Sequence, residues 1–396
     1  MWWQGSADLG IPPRAPTGEP GGSLWLSRRL GVSPLLPEVQ HVGSLFHGIY
    51  ASVGGGAWVN QTPGCLLPAR SLAGDADPFW RPVRQVAIAA SGLDACGIEG
   101  IAYDPLLANR IYATAYNTDS ISSGGANLEP GGVYVSDDLG FHWRKLVGGI
   151  RGNGLDVARV GLNTRIVAGY IQVHNGLVGT TPEGSSLAIS NDDGRTWRFR
   201  ALPASGCSDI VETSQRLTPT VVINPVDPDR IYAGTNAGLY TSADGGDTWR
   251  LAMQACGGVW GVAVSRDGSK VFVGDHLGRI ATSDRALASF DDLTDLGDGK
   301  VQDLVLDPLL EDTLYASIWF GSSANAFRID ARTGGKASMR DALLGGFDQA
   351  WPTGLPQPFP FGPVGGNGSA PSLFLSHPSG RLMLSTLFRG VFVRGE

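Results

Sequence analysis

The sequence predicts an all-β fold assembled from repeated antiparallel units, and three observations predict it. An octapeptide recurs along the middle of the chain. A second phrase, two apolar segments joined by a polar turn, recurs six times ahead of or between the octapeptides. The composition, with 57 Gly and 25 Pro among 396 residues and only 17% charged residues, suits many short strands joined by tight turns.

The octapeptide is clearest at Ser242-Ala243-Asp244-Gly245-Gly246-Asp247-Thr248-Trp249. It returns in full from Ser190 through Asp192 and Gly194 to Trp197, and again from Ser136 through Asp138 and Gly140 to Trp143, where His142 replaces the Thr. Each residue type has a local task. The Ser hydroxyl and Asp carboxylate bond to nearby backbone and close a turn from within. Gly permits positive φ at the corner, and Trp buries a large ring while its N–H still finds an acceptor. None of this needs a substrate. The oxygens are too sparse for a calcium loop, so these aspartates read as structural.

Three such octapeptides resemble the Asp-box, or BNR, repeat shared by sialidases, sortilin-type receptors, tandem-propeller xyloglucanases and a photosystem assembly factor. The resemblance implies a β-propeller, with the box on the turn between the third and fourth strands of a blade, away from the ligand face. It says much about fold and little about function.

The second phrase supplies the first and second strands. Gly100 to Pro105 with Arg110 to Ala113, Val221 to Pro225 with Arg230 to Gly234, and Asp303 to Pro308 with Thr313 to Ala316 are its clear copies. Weaker copies run from Val157 to Gly169, from Gly261 to Gly274 and from Ser372 to Leu384. A seventh unit is expected near Leu45 to Val53, with Gly48 to Ser52 as second strand and Phe79 to Val83 as fourth. The expectation is therefore a single propeller over residues 21–396. Seven four-stranded blades is the favoured count, with six or eight as alternatives. The last blade holds only three strands, from Ser372, Arg381 and Gly390, and an open ring would leave an unpaired edge. Ser23 to Gly31 is expected to complete it, with Arg29 in the Asp position of a degenerate box. Residues 1–20 precede it as a Pro/Gly-rich arm.

Thirty basic against 37 acidic residues give a net charge of -7, and no basic run offsets it, which argues against a nucleic-acid partner. No apolar run reaches the roughly 18 residues of a membrane span. The first residues, Met1 to Ser6, show no basic segment leading into an apolar one, so no signal peptide is visible. The four cysteines lack metal-ligand spacing, and no metal or cofactor motif is present. The blade assignment places Cys65, Cys96, Cys207 and Cys256 in loops of one face. Cys207 with Cys256 and Cys65 with Cys96 are the expected disulfides, and they favour an exported protein in an oxidising compartment.

Candidate chemistry gathers on that same loop face. Long connections after second strands bring Tyr116, Asn117, Asp119, His174 and Trp319 towards one rim, a set suited to a sugar or a peptide. A glycosidase needs two facing carboxylates, and Asp119 and Glu99 are the candidates. Asp119 follows Ile111-Tyr112-Ala113 much as an Asp follows the second strand in the xyloglucanases, although Ser120 to Ser123 displace the Gly-Gly turn expected next. The arginine pattern of sialidases has no counterpart. The connection 345–371 carries Trp351, Phe359 and Phe361 among six prolines, as a partner-docking arm or a lid would. Two functions remain open: a non-catalytic propeller that binds a protein or glycan, as a monomer or a component of a larger assembly, and a glycoside hydrolase.

Overall fold

The computed structural model describes residues 2–4, 27–44, 48–53, 59–62, 91–93, 95, 97–116, 131–171, 185–207, 218–307, 310–319, 324–338, 372–375, 382–386 and 390–394. These residues build seven four-stranded antiparallel sheets, each a blade of a β-propeller. The strands are short because each spans only the height of a ring, and every blade is a simple meander.

Blade 1 comprises β2 (Ser27–Val32), β3 (Val39–Ser44), β4 (Ile49–Val53) and β5 (Val59–Asn60). Blade 2 comprises β6 (Gly97–Tyr103), β7 (Ile111–Tyr116), β8 (Gly132–Ser136) and β9 (Arg144–Gly148). Blade 3 follows with β10 (Arg151–Val160), β11 (Asn163–Ile171), β12 (Ser185–Ser190) and β13 (Arg198–Ala201). Blade 4 holds β14 (Thr220–Ile223), β15 (Ile231–Thr235), β16 (Gly238–Ser242) and β17 (Arg250–Gln254). Blade 5 holds β18 (Val259–Val264), β19 (Lys270–Asp275), β20 (Arg279–Asp284) and β21 (Asp291–Asp295), and blade 6 holds β22 (Lys300–Leu306), β23 (Thr313–Trp319), β24 (Ala324–Asp330) and β25 (Lys336–Ser338). Blade 7 takes β26 (Ser372–Leu375), β27 (Leu382–Thr386) and β28 (Gly390–Arg394) from one end of the chain and β1 (Trp2–Gln4) from the other.

Ring closure by the two ends is as expected, but the closing strand is not Ser23 to Gly31. β1 pairs with β28 through Trp2↔Arg394, Trp3↔Val393 and Gln4↔Phe392. Ser27–Val32 is instead the innermost strand of blade 1, packed against the innermost strands of blades 2 and 7. The same shift moves Gly48 to Ser52 from second to third strand, and Val59–Asn60, not Phe79 to Val83, is the fourth. The cause is local similarity: Ile49, Tyr50 and Ala51 are all buried, so this third strand reads like the second strands elsewhere. Phe79 to Val83 lie outside the described residues.

Deleting residues 1–4 should remove about 1 kcal/mol for each ladder bond lost, roughly 3 kcal/mol in all, and leave β28 as an open edge. The expected result is a lower denaturation midpoint with concentration-dependent self-association in size-exclusion chromatography.

The core lies in the seams between blades, which explains the recurrent Ile-Tyr-Ala. In β15, Ile231 and Ala233 join Val167, Leu187 and Ile189 of blade 3, whereas Tyr232 joins Val259, Val271 and Val273 of blade 5. A strand with both faces in seams must be apolar at every position. The polar turn before it is also fixed. Asp104 Oδ1 accepts the amides of Leu106 and Leu107, and Asn224 Oδ1 accepts those of Val226 and Asp227. The second-strand tyrosine hydroxyl donates back to Asp104 in blade 2 and to Asp307 in blade 6.

All three octapeptides lie between third and fourth strands, and their bonds repeat. Ser242 Oγ donates to Asp244 Oδ1 at 2.7 Å and accepts the Gly246 amide at 2.8 Å. Asp244 accepts the Thr248 amide and hydroxyl, and Trp249 Nε1 donates to Gly246 O. Burial opposes ionisation of Asp244, but the Thr248 and Ser242 bonds outweigh it and hold the carboxyl at about 2. In blade 2, His142 takes over the threonine's role, with its Nδ1 2.6 Å from Asp138 Oδ2. A fourth, degenerate box spans Ser283 to Phe290 of blade 5. Leu287 there adopts φ 55° and Phe290 stands in the Trp position.

Each box seats on the preceding blade, and at two different seams a titratable group is buried. His41 of blade 1 is fully buried; its Nε2–H donates to Leu139 O of the blade 2 box at 3.0 Å, and its Nδ1 accepts from Tyr103 OH at 2.8 Å. Burial, only partly offset by the Leu139 bond, lowers His41 to about 4. Asp156 in β10 is raised by burial to about 6, although it accepts the amides of Ile223 and Val157.

The linkages oppose each other. The unfolded state binds the extra proton at His41, so stability falls as pH drops from 6.5 towards 4; the folded state binds it at Asp156, so stability rises as pH drops from 6 towards 4. His41→Gln removes the first effect alone. Its stability relative to wild type should therefore rise by roughly 3 kcal/mol between pH 7 and pH 4, as measured by urea titrations at each pH.

Candidate functional site

The connections from second to third strand and from fourth strand to the next blade gather at one end of the ring, opposite the boxes. At this end five innermost strands carry a β-bulge near their first residues. The register shifts between Ser27 and Arg29, Ile98 and Gly100, Gly152 and Leu155, Val259 and Gly261, and Val301 and Asp303. A bulge re-aims one residue out of the ladder. The residues at the shifts are Arg28, Glu99, Asn153 with Gly154, Trp260 and Gln302, so the shifts recur at one level of the innermost strands.

Only Glu99 of this set is among the residues singled out from sequence. The signal for the others is a glycine beside the bulge. A Cβ at Gly100 would lie 2.8 Å from Asn153 O, and one at Gly261 would lie 2.9 Å from Leu304 Cγ, so each glycine lets the next blade approach.

Glu99 is 2% exposed and Asn153 equally buried, with the Asn153 carbonyl accepting from Thr114 Oγ1 at 2.8 Å. Tyr116 ends β7, is buried, and lies 4.7 Å from the Arg151 guanidinium of blade 3. Trp319 ends β23 opposite Lys300. Lys300 places its ammonium over the Trp260 ring, and Trp260 Nε1 donates to Gly257 O at 3.2 Å. Trp260, Lys300 and Trp319 thus meet at the mouth of blades 5 and 6, while Tyr116 and Glu99 belong to blade 2. Asn117, Asp119, His174, Trp351, Phe359 and Phe361 lie outside the described residues.

Three of the described acids towards this end, Asp156, Asp275 and Asp303, are committed to backbone, and the buried Glu99 is not one of them. Asp156 holds two amides, Asp275 accepts those of Leu277 and Arg279 as well as the Arg279 side chain at 3.2 Å, and Asp303 accepts the Leu304 amide. Among the described residues no group of three or more His, Cys, Asp or Glu could hold a metal ion.

Beside the mouth, Cys207 and Cys256 form a disulfide that joins the loops leaving blades 3 and 4. Gln254 Nε2 lies 3.8 Å from each sulfur. Cys65 and Cys96 lie outside the described residues. Among those residues no helix is long and apolar enough to cross a membrane.

Fold and mouth together define the class: a β-propeller with a loop-bearing face and a box-bearing face. No family model matches the chain, and no curated protein does. Solved structures do. The GH74 xyloglucanase from Xanthomonas campestris is similar at TM-score 0.61 and 14% identity, over 99% of this chain and 53% of that one. YCF48 from Cyanidioschyzon merolae is similar at TM-score 0.55 and 12% identity, over 99% and 97%. The β-propeller domain of Cps50 (Swd1) from Myceliophteria thermophila matches at 0.56 and 11%, over 94% and 97%. The chain spans about half the length of the xyloglucanase. At these identities the likeness is one of fold, shared by an enzyme and by proteins of other kinds.

Proposed function

We propose that the chain is a non-catalytic propeller of Asp-box type that recognises a protein or a glycan through its loop face, as a monomer or within a larger assembly. The observation that carries this reading is the commitment of Asp156, Asp275 and Asp303 to backbone amides, which leaves them unsuited to proton transfer across a cleft. Trp260, Trp319 and the Lys300 ammonium offer instead a stacking and hydrogen-bonding surface. Asn117, Asp119 and His174, which follow the buried Tyr116 or lie in the corresponding connection of blade 3, are assigned to the same recognition, with Trp351, Phe359 and Phe361 as docking residues for a protein partner. The Cys207–Cys256 disulfide supports export to an oxidising compartment.

The test is a hydrolysis assay on xyloglucan, β-glucans and sialosides beside binding measurements on the same preparations. The expected result is no turnover, with saturable binding that Trp260→Ala and Trp319→Ala weaken. Turnover that Asp119→Ala or Glu99→Gln abolishes would establish a glycoside hydrolase instead.

A further inference from the structure

The box-bearing face holds a second feature, and a comparison of two neighbouring seams shows what it lacks. Between blades 3 and 4, β13 sends Arg198 and Arg200 to Asp247, the sixth residue of the blade 4 box. Arg198 makes a short ion pair with it, and Arg200 lies 3.0 Å from the same oxygen. Arg198 also donates to Gly245 O at 3.4 Å. The carboxylate closes that seam.

Between blades 2 and 3 the pattern is the same but for one sign. Arg144 opens β9 as Arg198 opens β13, each directly after its box tryptophan. The sixth residue of the blade 3 box is Arg195, where blade 4 has Asp247. A cation therefore stands where the counter-ion should be. The result is a notch of about 220 Å³, lined by Arg110, Tyr112, Arg144, Asp193, Gly194 and Arg195.

The carboxylates in and beside this notch already have partners. Asp137 holds Arg110 at 2.5 Å. Asp193 accepts the Thr164 amide at 2.8 Å and pairs with Arg195 at 3.1 Å, with Arg159 at 3.9 Å. The Arg144 side chain has no hydrogen bond or ion pair among the described residues. Three arginines, two of them paired with Asp137 and Asp193, line a volume that admits one small group, in a chain whose net charge is -7. Planar guanidinium forks match carboxylate and phosphate oxygens bidentately.

We propose that this notch binds an oxyanion, a carboxylate or phosphate group, in the position that the Asp247 carboxylate fills one seam further on. The group can arrive free or on an acidic side chain of a partner polypeptide. Leu106 and Leu162, 63% and 93% exposed on turns of the same two blades, offer apolar contact to the second kind of ligand.

The full chain is titrated by calorimetry with inorganic phosphate, sulfate and tetraglutamate, at ionic strength held constant with sodium chloride. Wild type should show saturable binding that Arg144→Gln weakens about tenfold or more. Arg195→Asp supplies the missing counter-ion from within, so it should abolish binding and raise the melting temperature in anion-free buffer. Saturation by tetraglutamate alone supports a polypeptide-borne carboxylate, and saturation by phosphate and sulfate as well supports a free oxyanion. Equal responses of wild type and Arg144→Gln would overturn the proposal, and so would an Arg195→Asp protein that binds as wild type does.

Discussion

Gly246→Val should yield protein destabilised by about 4–6 kcal/mol, or none that remains folded. Gly246 sits at φ 89° in the blade 4 box, a conformation that a β-branched residue adopts only under strain. A Cβ there would stand 2.2 Å from Ile189 Cδ1, and Ile189 is fully buried in the seam with blade 3. The two costs add because neither neighbour can give way: the box is locked by Ser242 and Asp244, and the seam is closely packed. Gly297 supplies the control. Its φ is 97°, yet nothing lies within 4 Å of its Cβ position, so Gly297→Ala should cost about 1 kcal/mol through backbone strain alone. Urea midpoints of the two variants at unchanged slope test both values.

Reduction of the Cys207–Cys256 disulfide is expected to cost up to about 4 kcal/mol. The bond closes a loop of 49 residues that contains all four strands of blade 4, and its removal returns that loop's entropy to the unfolded chain. Cys207 is 2% exposed and packs with Leu187, Leu202 and Tyr240, so the reduced thiol remains in a position that suits it. The measurement is a denaturant titration of wild type with and without reductant, beside the Cys207→Ser/Cys256→Ser double variant. A reduced protein as stable as the oxidised one would show that the blade 3 and blade 4 loops are held by packing alone.

The boxes and six of the first-to-second-strand units were legible because their signals are local. A serine, an aspartate, a glycine and a tryptophan at fixed spacing close a turn whatever surrounds it, and Ile-Tyr-Ala reports a strand buried on both faces. Blade 1 misled for the same reason, since Ile49, Tyr50 and Ala51 satisfy that pattern in a third strand. The degenerate box of blade 5 escaped because Leu287 takes the positive-φ corner without a glycine and Phe290 stands for Trp. Ring closure at Trp2–Gln4 left no local trace: three residues carry no period, and their partner lies at the far end of the chain.

Of the candidate site, Tyr116 ends β7, Trp319 ends β23 and Glu99 lies in β6. Asn153, Trp260 and Gln302 were not legible, because a bulge is a relation between two strands, and the sequence of one strand shows at most the glycine beside it. The missing counter-ion at the second seam is a relation of the same kind, visible only when Arg195 and Asp247 are seen in equivalent places.

The pairing of Trp3 with Val393 also sets a timetable for biosynthesis. Trp2–Gln4 is made about 390 residues ahead of its partner strand, and at roughly 5–20 residues per second the interval between them is tens of seconds. Throughout it, the newest blade always lacks the neighbour that will cover its seam, and the tryptophans at the amino end wait without a sheet. Closure is thus a late step of very long sequence separation, slow by its topology.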